Sequence, residues 1–171
     1  MFGHKPKLYW SPLEQGDHPE IDTTEELDEK GIKLYQSMIS SLQWAISLGR
    51  FDISTAVMTL SSFRALPRQG HLTRAKRVYG YLAIFKNSAI CIWTDMPNYE
   101  NLKIKDCDWQ TTTYGKIEEI IPSYIPPPLG NTIRLTTYVD ANLFHDIITG
   151  RSVTGILHLI NKTPFDWYSK K

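Results

Sequence analysis

The sequence has few of the features that mark secreted, disulfide-stabilised or membrane-spanning proteins. Its 171 residues contain two cysteines, Cys91 and Cys107, which lie too far apart to form a C-x-x-C metal or redox pair. Free thiols in a reducing compartment are the favoured interpretation, and one disulfide is the alternative. No run of about 18 apolar residues offers a membrane span, and the N-terminus has no signal-peptide pattern. We therefore expect an intracellular protein, cytoplasmic or nuclear, with no membrane partner.

The sequence also lacks an excess of charge of either sign. It contains 19 basic and 18 acidic residues and a formal net charge of +1, so the whole chain is not a strongly basic binder of polyanions. The charges are unevenly distributed, however. Residues 14–29 are strongly acidic, whereas residues 64–86 are almost purely basic. The total charge therefore neither requires nor excludes nucleic-acid binding.

The common nucleotide and metalloenzyme signatures are absent too. The sequence contains no G-x-x-x-x-G-K-[ST], no G-x-G-x-x-G and no H-E-x-x-H string. What it does contain is a balanced composition, with 42% hydrophobic and 22% charged residues. This composition predicts a packed core rather than wholesale disorder.

The first half of the chain predicts a small helical module. Residues 1–32 mix prolines, glycines and acidic residues and predict an extended or loosely ordered lead-in. Residues 33–88 then carry three apolar stripes at helical spacing, separated by breaks at Gly49-Arg50 and at Pro67 to Gly70. The stripes are Leu34, Met38, Leu42, Ala45 and Ile46; Ile53, Ala56, Val57 and Leu60, with Asp52 as N-cap; and Leu72, Ala75, Val78, Tyr79 and Leu82.

The second half predicts a connection and then a sheet. Residues 89–131 begin with a short β-prone string and end in a triple proline followed by glycine, which predicts a linker. Residues 132–171 predict three strands, near 132–141, 152–161 and 163–169, paired antiparallel in sequence order. The predicted fold class is α+β. Three strands with one open face make a poor domain alone, so we expect a truncated one.

The third predicted helix carries a second stripe, opposite its apolar one. Four side chains recur there at spacings of three and four residues: His71, Arg74, Arg77 and Tyr81. Basic groups with an aromatic ring on one helix face suit phosphate contacts and base stacking. The stripe is therefore a candidate nucleic-acid-binding face, and an ordinary solvated helix face is the alternative.

One aspartate is a candidate metal ligand. Asp140 follows an apolar strand, in the string Tyr138-Val139-Asp140-Ala141, where a carboxylate is rigidly placed. A single carboxylate does not hold the pair of cations that two-metal chemistry needs, and a turn or capping role is the alternative. His145 beside Asp146 is better explained as a polar loop between strands than as a metal site.

The order of several strings resembles copia-type LTR-retrotransposon Pol polyproteins. Residues 34–44 resemble Y-[RQ]-S-L-I-G-S-L-x-[WY], and residues 50–57 resemble R-P-D-I-x-x-A-V, with Phe51 in place of the proline. Residues 67–82 are similar to P-x-x-x-H-x-x-A-x-[KR]-R-[IV]-x-x-Y-L. Three strings of that family's ribonuclease H, Y-x-D-A-D-W, R-S-x-S-G and W-x-S-K-K, have counterparts in the tail. The counterparts are residues 138–142, with Asp146 after them, then Arg151-Ser152 and Thr154-Gly155, and finally residues 167–171.

The resemblance implies an end of reverse transcriptase followed by a start of ribonuclease H. The helical part would be a thumb-like module downstream of the polymerase palm, in contact with primer–template or RNA–DNA hybrid. Asp140 would be the first-strand carboxylate of the ribonuclease H site, which uses Mg²⁺ in the complete parent enzyme. The polymerase Y-x-D-D is missing, and the other ribonuclease H carboxylates would follow Lys171. We therefore expect no tightly bound cofactor, weak binding of hybrid, contact with the remaining polyprotein and no activity of the chain alone.

A second hypothesis comes from a different class. A host protein would use the same helical module for protein or nucleic-acid contacts without catalysis. Salt-dependent affinity for RNA–DNA hybrid separates the two hypotheses, because phosphate binding weakens steeply with salt.

Overall fold

Helices precede strands along the chain. The computed structural model describes residues 6–103, 108, 111–113, 115, 122–127 and 129–170. Within these residues, helices α1 (Glu29–Ser47), α2 (Ser54–Ser61) and α3 (Gln69–Ile84) lead into strands β1 (Leu135–Asn142), β2 (Val153–Ile160) and β3 (Thr163–Lys170). The predicted α+β class is confirmed, as are the three helices and three strands.

Two findings concern the helices and the cysteines. None of the helices in the described part of the chain is long and apolar enough to traverse a bilayer. Cys91 is an exposed free thiol. Cys107 lies outside the described residues.

Helix α1 begins four residues before its predicted start. Asp28 is its N-cap, and the carboxylate accepts a hydrogen bond of 2.8 Å from the backbone N–H of Gly31. Such a cap satisfies one of the free N–H groups of the first turn. The helix ends at Ser47, and Gly49 follows it with a φ of 108°, a conformation open to glycine and strained for other residues.

The predicted N-cap of α2 is wrong. Residues Phe51–Ile53 form a 3-10 turn, and Ile53 occupies the N-cap position without a side-chain hydrogen bond. Asp52 instead pairs with Arg50, at 2.7 Å between Oδ2 and Nη2. Burial raises the pKa of Asp52, but hydrogen bonds from Arg50 and Tyr81 outweigh it, so the pKa lies below its ordinary value.

The predicted break before α3 is also too long. Pro67 precedes the helix as expected, but Gly70 lies inside its first turn. The glycine serves close packing there, because a Cβ at residue 70 would lie 1.8 Å from a carboxylate oxygen of Asp22.

The core lies between the three helices. Every residue of the predicted α2 stripe is buried, whereas the α1 and α3 stripes are buried only in part. Tyr35, which the α1 stripe omits, is fully buried and donates a hydrogen bond of 2.7 Å to the carbonyl of Leu60. The buried apolar set is Leu27, Tyr35, Met38, Ile39, Leu42, Ile53, Ala56, Val57, Leu60, Leu72, Ala75 and Val78.

The strands form an antiparallel sheet in the order β1-β2-β3. The register pairs Asp140 with Gly155 and Leu135 with Ile160, and β2 pairs with β3 through a shift between His158 and Leu159. Since side chains alternate between faces, Tyr138, Asp140 and Asn142 lie on one face of β1. Strand β1 is an edge of this sheet.

The sheet packs against the helices through Trp167 of β3. Its indole Nε1 donates a hydrogen bond of 3.1 Å to the carbonyl of Ile46 in α1. Its ring lies 5.4 Å from the ring of Phe51, measured between centroids. Phe51 is the residue that departs from the proline of the resembled string, and its ring gives the sheet a contact with the 3-10 turn that precedes α2.

Candidate nucleic-acid interface and carboxylate cleft

His71 is a buried bridge rather than an exposed member of the α3 stripe. Only 3% of the residue is exposed, and its ring stacks on Phe63 at 4.2 Å between centroids. The backbone N–H of Arg68 donates to Nδ1 at 3.0 Å, so the hydrogen is on Nε2, which donates to the carbonyl of Pro19 at 2.9 Å. Burial lowers the pKa of His71 below its ordinary value. The imidazole is therefore neutral near pH 7.

Arg74 is held by two carboxylates of the lead-in. Its Nε and Nη2 donate to the two oxygens of Asp17 at 2.8 Å, in a bidentate pair. Its Nη1 donates to Oδ2 of Asp22, whose side chain is only 5% exposed. The hydrogen bonds that Arg74 donates to Asp17 and Asp22 raise the pKa of Arg74 above its ordinary value, against the opposing effect of burial.

The pKa of Asp22 moves in the opposite direction. Burial raises it, but hydrogen bonds from Thr24 and Arg74 outweigh that effect and leave the pKa below its ordinary value.

Arg77 is covered by an earlier part of the same lead-in. Its Nη1 donates to Glu14 at 2.6 Å, and its Nε and Nη2 donate to the carbonyl and hydroxyl of Ser11 at 3.3 and 3.1 Å. The guanidinium also lies 4.4 Å from the ring centroid of Tyr9. The Arg77 side chain is 17% exposed, although its partner Glu14 is 71% exposed.

Tyr81 closes the row at the other end of the helix. The Tyr81 ring packs against Phe85, at 4.7 Å between the ring centroids. The Arg50 guanidinium lies 6.0 Å from the centroid of the Tyr81 ring. Burial and a hydrogen bond to Asp52 raise its pKa. The ring is half-buried, so little of its face is open for stacking.

The four predicted residues thus share a helix but not an open surface. Residues 11–26, which we term the acidic segment, lie across α3 and carry Glu14, Asp17, Asp22 and Glu26. The last of these pairs with Arg68 at 3.0 Å, and its backbone forms a β-bridge with Arg68. The opposite charges of the acidic and basic stretches are visible in the sequence and are a signal that the two stretches could pair. The ion pairs themselves join residues more than 40 positions apart, so local patterns do not predict them.

Asp140 lies in an open cleft between the sheet and α2. The cleft has a volume of about 380 Å³. Asp140 is exposed, on the same face as Tyr138, and the N-terminal residues of α2 form the opposite wall. The residues lining it include Phe51, Ser54, Thr55, Tyr138, Asp140, Gly155, Trp167 and Ser169.

The cleft is rich in hydroxyl groups and poor in carboxylates. Ser169 Oγ is buried there without a hydrogen-bond partner, and the row Asp140, Gly155, Ser169 crosses all three strands. Within the described ranges, no group of three or more His, Cys, Asp or Glu side chains lies close enough together to hold a metal ion. Asp140 is therefore the single carboxylate among the residues that line the cleft.

His145 and Asp146 belong to the loop between β1 and β2, as predicted. Asp146 is 4% exposed, and its Oδ1 accepts hydrogen bonds from the backbone N–H groups of Ile148 and Thr149 at 3.0 and 2.9 Å. His145 joins the loop to α2, with Nε2 at 3.3 Å from Thr59 Oγ1. These contacts give both residues a structural role in the hairpin.

The fold and site define an α+β chain whose helical part carries a basic helix and whose sheet places one aspartate, Asp140, in the cleft. The chain is 30% identical over 167 residues to a transposon Ty5-1 protein of Saccharomyces cerevisiae, an overlap of 96% of the chain and 42% of that protein. It is 28% identical over 137 residues to a retrovirus-related Pol polyprotein from transposon RE1 of Arabidopsis thaliana, covering 80% of the chain and 7% of that protein.

Both relatives are named as transposon proteins, and over most of its length the chain is similar to a retrotransposon Pol polyprotein. The chain spans less than half the length of the yeast protein and under a tenth of the plant polyprotein. No family model matches the sequence, and no solved structure matches it.

Proposed function

We propose that the chain is the part of a retrotransposon polyprotein where reverse transcriptase ends and ribonuclease H begins. In this assignment α1–α3 form a thumb-like module that contacts primer–template or RNA–DNA hybrid. Strands β1–β3 are the first strands of the ribonuclease H sheet. The ancestral role is RNA-dependent DNA synthesis and hydrolysis of the hybrid strand, carried out together with other parts of the polyprotein.

The observation that carries this proposal is the position of Asp140. A carboxylate that is exposed on a sheet, inside an open cleft beside the helical module, is where a metal ion would meet a bound nucleic-acid strand. Trp167 and Phe51 fix the sheet against the helices, so the carboxylate has a defined position relative to α3. The kinship with transposon Pol polyproteins agrees with this assignment.

Mg²⁺ is the metal that the assignment implies, and the described residues fit it only in part. Mg²⁺ prefers near-octahedral oxygen coordination and gives up its waters reluctantly. One carboxylate would anchor a hydrated ion loosely, and hydroxyls such as Ser169 Oγ are weak additional ligands. In a complete site the metal would activate the attacking water and stabilise the leaving oxygen. In this chain Asp140 would contribute its two carboxylate oxygens as ligands of the metal ion.

The test is hydrolysis of RNA in a labelled RNA–DNA hybrid with Mg²⁺ or Mn²⁺. We expect no cleavage by the 171-residue chain. A longer chain that adds further acidic residues of the polyprotein after Lys171 should cleave, and Asp140→Asn in that longer chain should abolish cleavage. Asp166→Asn is the matched control, because Asp166 pairs with His158 and lies on the opposite face of the sheet from Asp140.

The proposal fails on either of two results. Cleavage by the 171-residue chain that survives Asp140→Asn would place the chemistry elsewhere. Cleavage by the longer chain that Asp140→Asn and Asp166→Asn affect equally would remove Asp140 from the site.

A further inference from the structure

The acidic segment places carboxylates where phosphates of a nucleic acid would bind. An arginine guanidinium recognises carboxylate and phosphate with the same pair of parallel N–H groups. Asp17 occupies that pair on Arg74, Asp22 takes a third donor, and Glu14 takes a terminal nitrogen of Arg77. The arginine donors that would contact a strand are therefore already used within the chain.

The spacing of the arginines also matches a strand. Arg68, the N-cap of α3, lies nine residue steps before Arg77, which is about 14 Å at the helical rise, and Arg74 lies between them. That length corresponds to roughly four nucleotide steps of one strand. The acidic segment runs along the same length, because Glu26 pairs with Arg68, Asp17 and Asp22 with Arg74, and Glu14 with Arg77.

The lead-in is seated closely on α3 at two glycines, one facing Asp22 of the acidic segment and one facing Lys7, which precedes the segment. At Gly70 a Cβ would lie 1.8 Å from Oδ2 of Asp22, and at Gly80 a Cβ would lie 2.0 Å from the carbonyl oxygen of Lys7. Both glycines lie inside α3, where alanine is the better helix former. A methyl group at these positions would push the lead-in away from α3 without changing any charge.

The contact is also one that a polyanion can displace. The outer ion pairs are the exposed ones, with the Glu14 and Glu26 side chains 71% and 50% exposed, and such pairs add little to stability. The pairs of Arg74 with Asp17 and Asp22 are largely buried, so the ends of the segment detach more easily than its middle. Within the acidic segment the structure gives one 3-10 turn, Pro19–Ile21, and no longer regular element among its residues. A strand carrying a phosphate at every step competes for the same donors and gains from the release of its counterions.

We infer that the acidic segment is an intramolecular phosphate mimic that masks the nucleic-acid-binding face of α3. This inference rests on the proposed contact between α3 and RNA–DNA hybrid. It adds a regulatory element to that contact, because hybrid binds strongly only when the segment leaves the helix. The masking also explains how a basic helix is kept from binding nucleic acid non-specifically.

The decisive variant keeps the net charge unchanged. Gly70→Ala combined with Gly80→Ala should lift the acidic segment, and binding of a fluorescein-labelled RNA–DNA hybrid is followed by anisotropy at low and moderate salt. Freeing two arginines adds about two phosphate contacts, so between 50 and 200 mM salt the affinity of this variant should fall about tenfold more than that of the wild type. At the lower salt concentration the variant should bind more tightly than the wild type.

A second variant reaches the same state through charge. Glu14→Gln, Asp17→Asn and Asp22→Asn together should also tighten binding and steepen its salt dependence. The matched control is Glu25→Gln, Glu29→Gln and Glu100→Gln, which removes the same number of carboxylates, none of them in an ion pair among the described residues. Glu14→Gln alone is a milder variant that frees Arg77 and leaves the buried pair of Arg74 intact.

The outcomes separate this inference from the function on which it rests. Tighter binding by both unmasked variants, lost again when Arg74→Gln and Arg77→Gln are added, supports the mask. A second outcome is that the unmasked variants keep the wild-type affinity and salt slope while Arg74→Gln and Arg77→Gln bind more weakly. That outcome would refute masking by the acidic segment and would still support α3 as the binding face. Absence of binding by every variant would refute both. Equal gains in the carboxylate variant and its matched control, with no gain from the glycine variant, would also overturn the mask.

Discussion

The attachment of the sheet to the helices should depend on Trp167. Trp167→Phe removes the hydrogen bond to the carbonyl of Ile46, and that carbonyl keeps a bond of 3.0 Å from the N–H of Gly49. Because no acceptor is left unpaired, the loss should be about 1 kcal/mol. Trp167→Ala also removes the ring contact with Phe51. Since the indole is only half-buried, that loss should be about 2–3 kcal/mol, below the usual cost for a fully buried tryptophan.

The loss should fall on the sheet rather than on the helical core. Trp167 is outside the buried cluster of α1–α3, and a small sheet without cover is marginally stable. Amide hydrogen exchange should therefore show lower protection in β2 of Trp167→Ala, with α1 unchanged. Trp44→Phe is the control, because Trp44 is 67% exposed. Unchanged protection of β2, or an equal fall in α1 and β2, would refute this reasoning.

Two further predictions concern titration and the hairpin loop. Because burial lowers the pKa of His71, the unfolded state binds the proton more tightly, and the free energy of unfolding should fall as the pH is lowered through the ordinary histidine pKa of about 6.5. His71→Gln should flatten this dependence in urea titrations, and an equal slope in the variant would contradict the prediction. Asp146→Ala leaves the N–H groups of Ile148 and Thr149 without their acceptor. Its unfolding free energy should drop by about 1–3 kcal/mol, whereas Asp146→Asn, which retains an oxygen acceptor, should lose less.

Much of the fold was predictable because it follows from local periodicity. The strands were predicted to within three residues at either end, since alternation fixes both their position and their face. The predicted apolar stripe of α1 is rotated by about one residue from the face that the structure buries. The buried face follows Tyr35, Met38, Ile39 and Leu42, at spacings of three, four and seven residues. Tyr35 lies outside the predicted stripe, and the partner of its hydroxyl, the carbonyl of Leu60, is brought to it only by the folded chain.

The candidate site was less predictable because its geometry depends on distant pairing. The sequence identified Asp140 on its strand and the arginines on their helix. It did not reveal that Asp17 and Asp22 would meet Arg74, or that His71 would turn inward to the carbonyl of Pro19. Helical spacing defines which residues share a face, but it does not define what covers that face.

The position of β1 at the edge of the sheet has a consequence for the chain in concentrated solution. Its eight residues pair with β2 on one side, and no strand in the described part of the chain pairs with its other side. Leu135 and Val139 are 67% and 66% exposed along it, and Asp140 is the only charge on the strand. Such an edge is a template for another extended chain. Aggregation, rather than unfolding, should therefore set the upper limit on the concentration at which this chain stays dispersed.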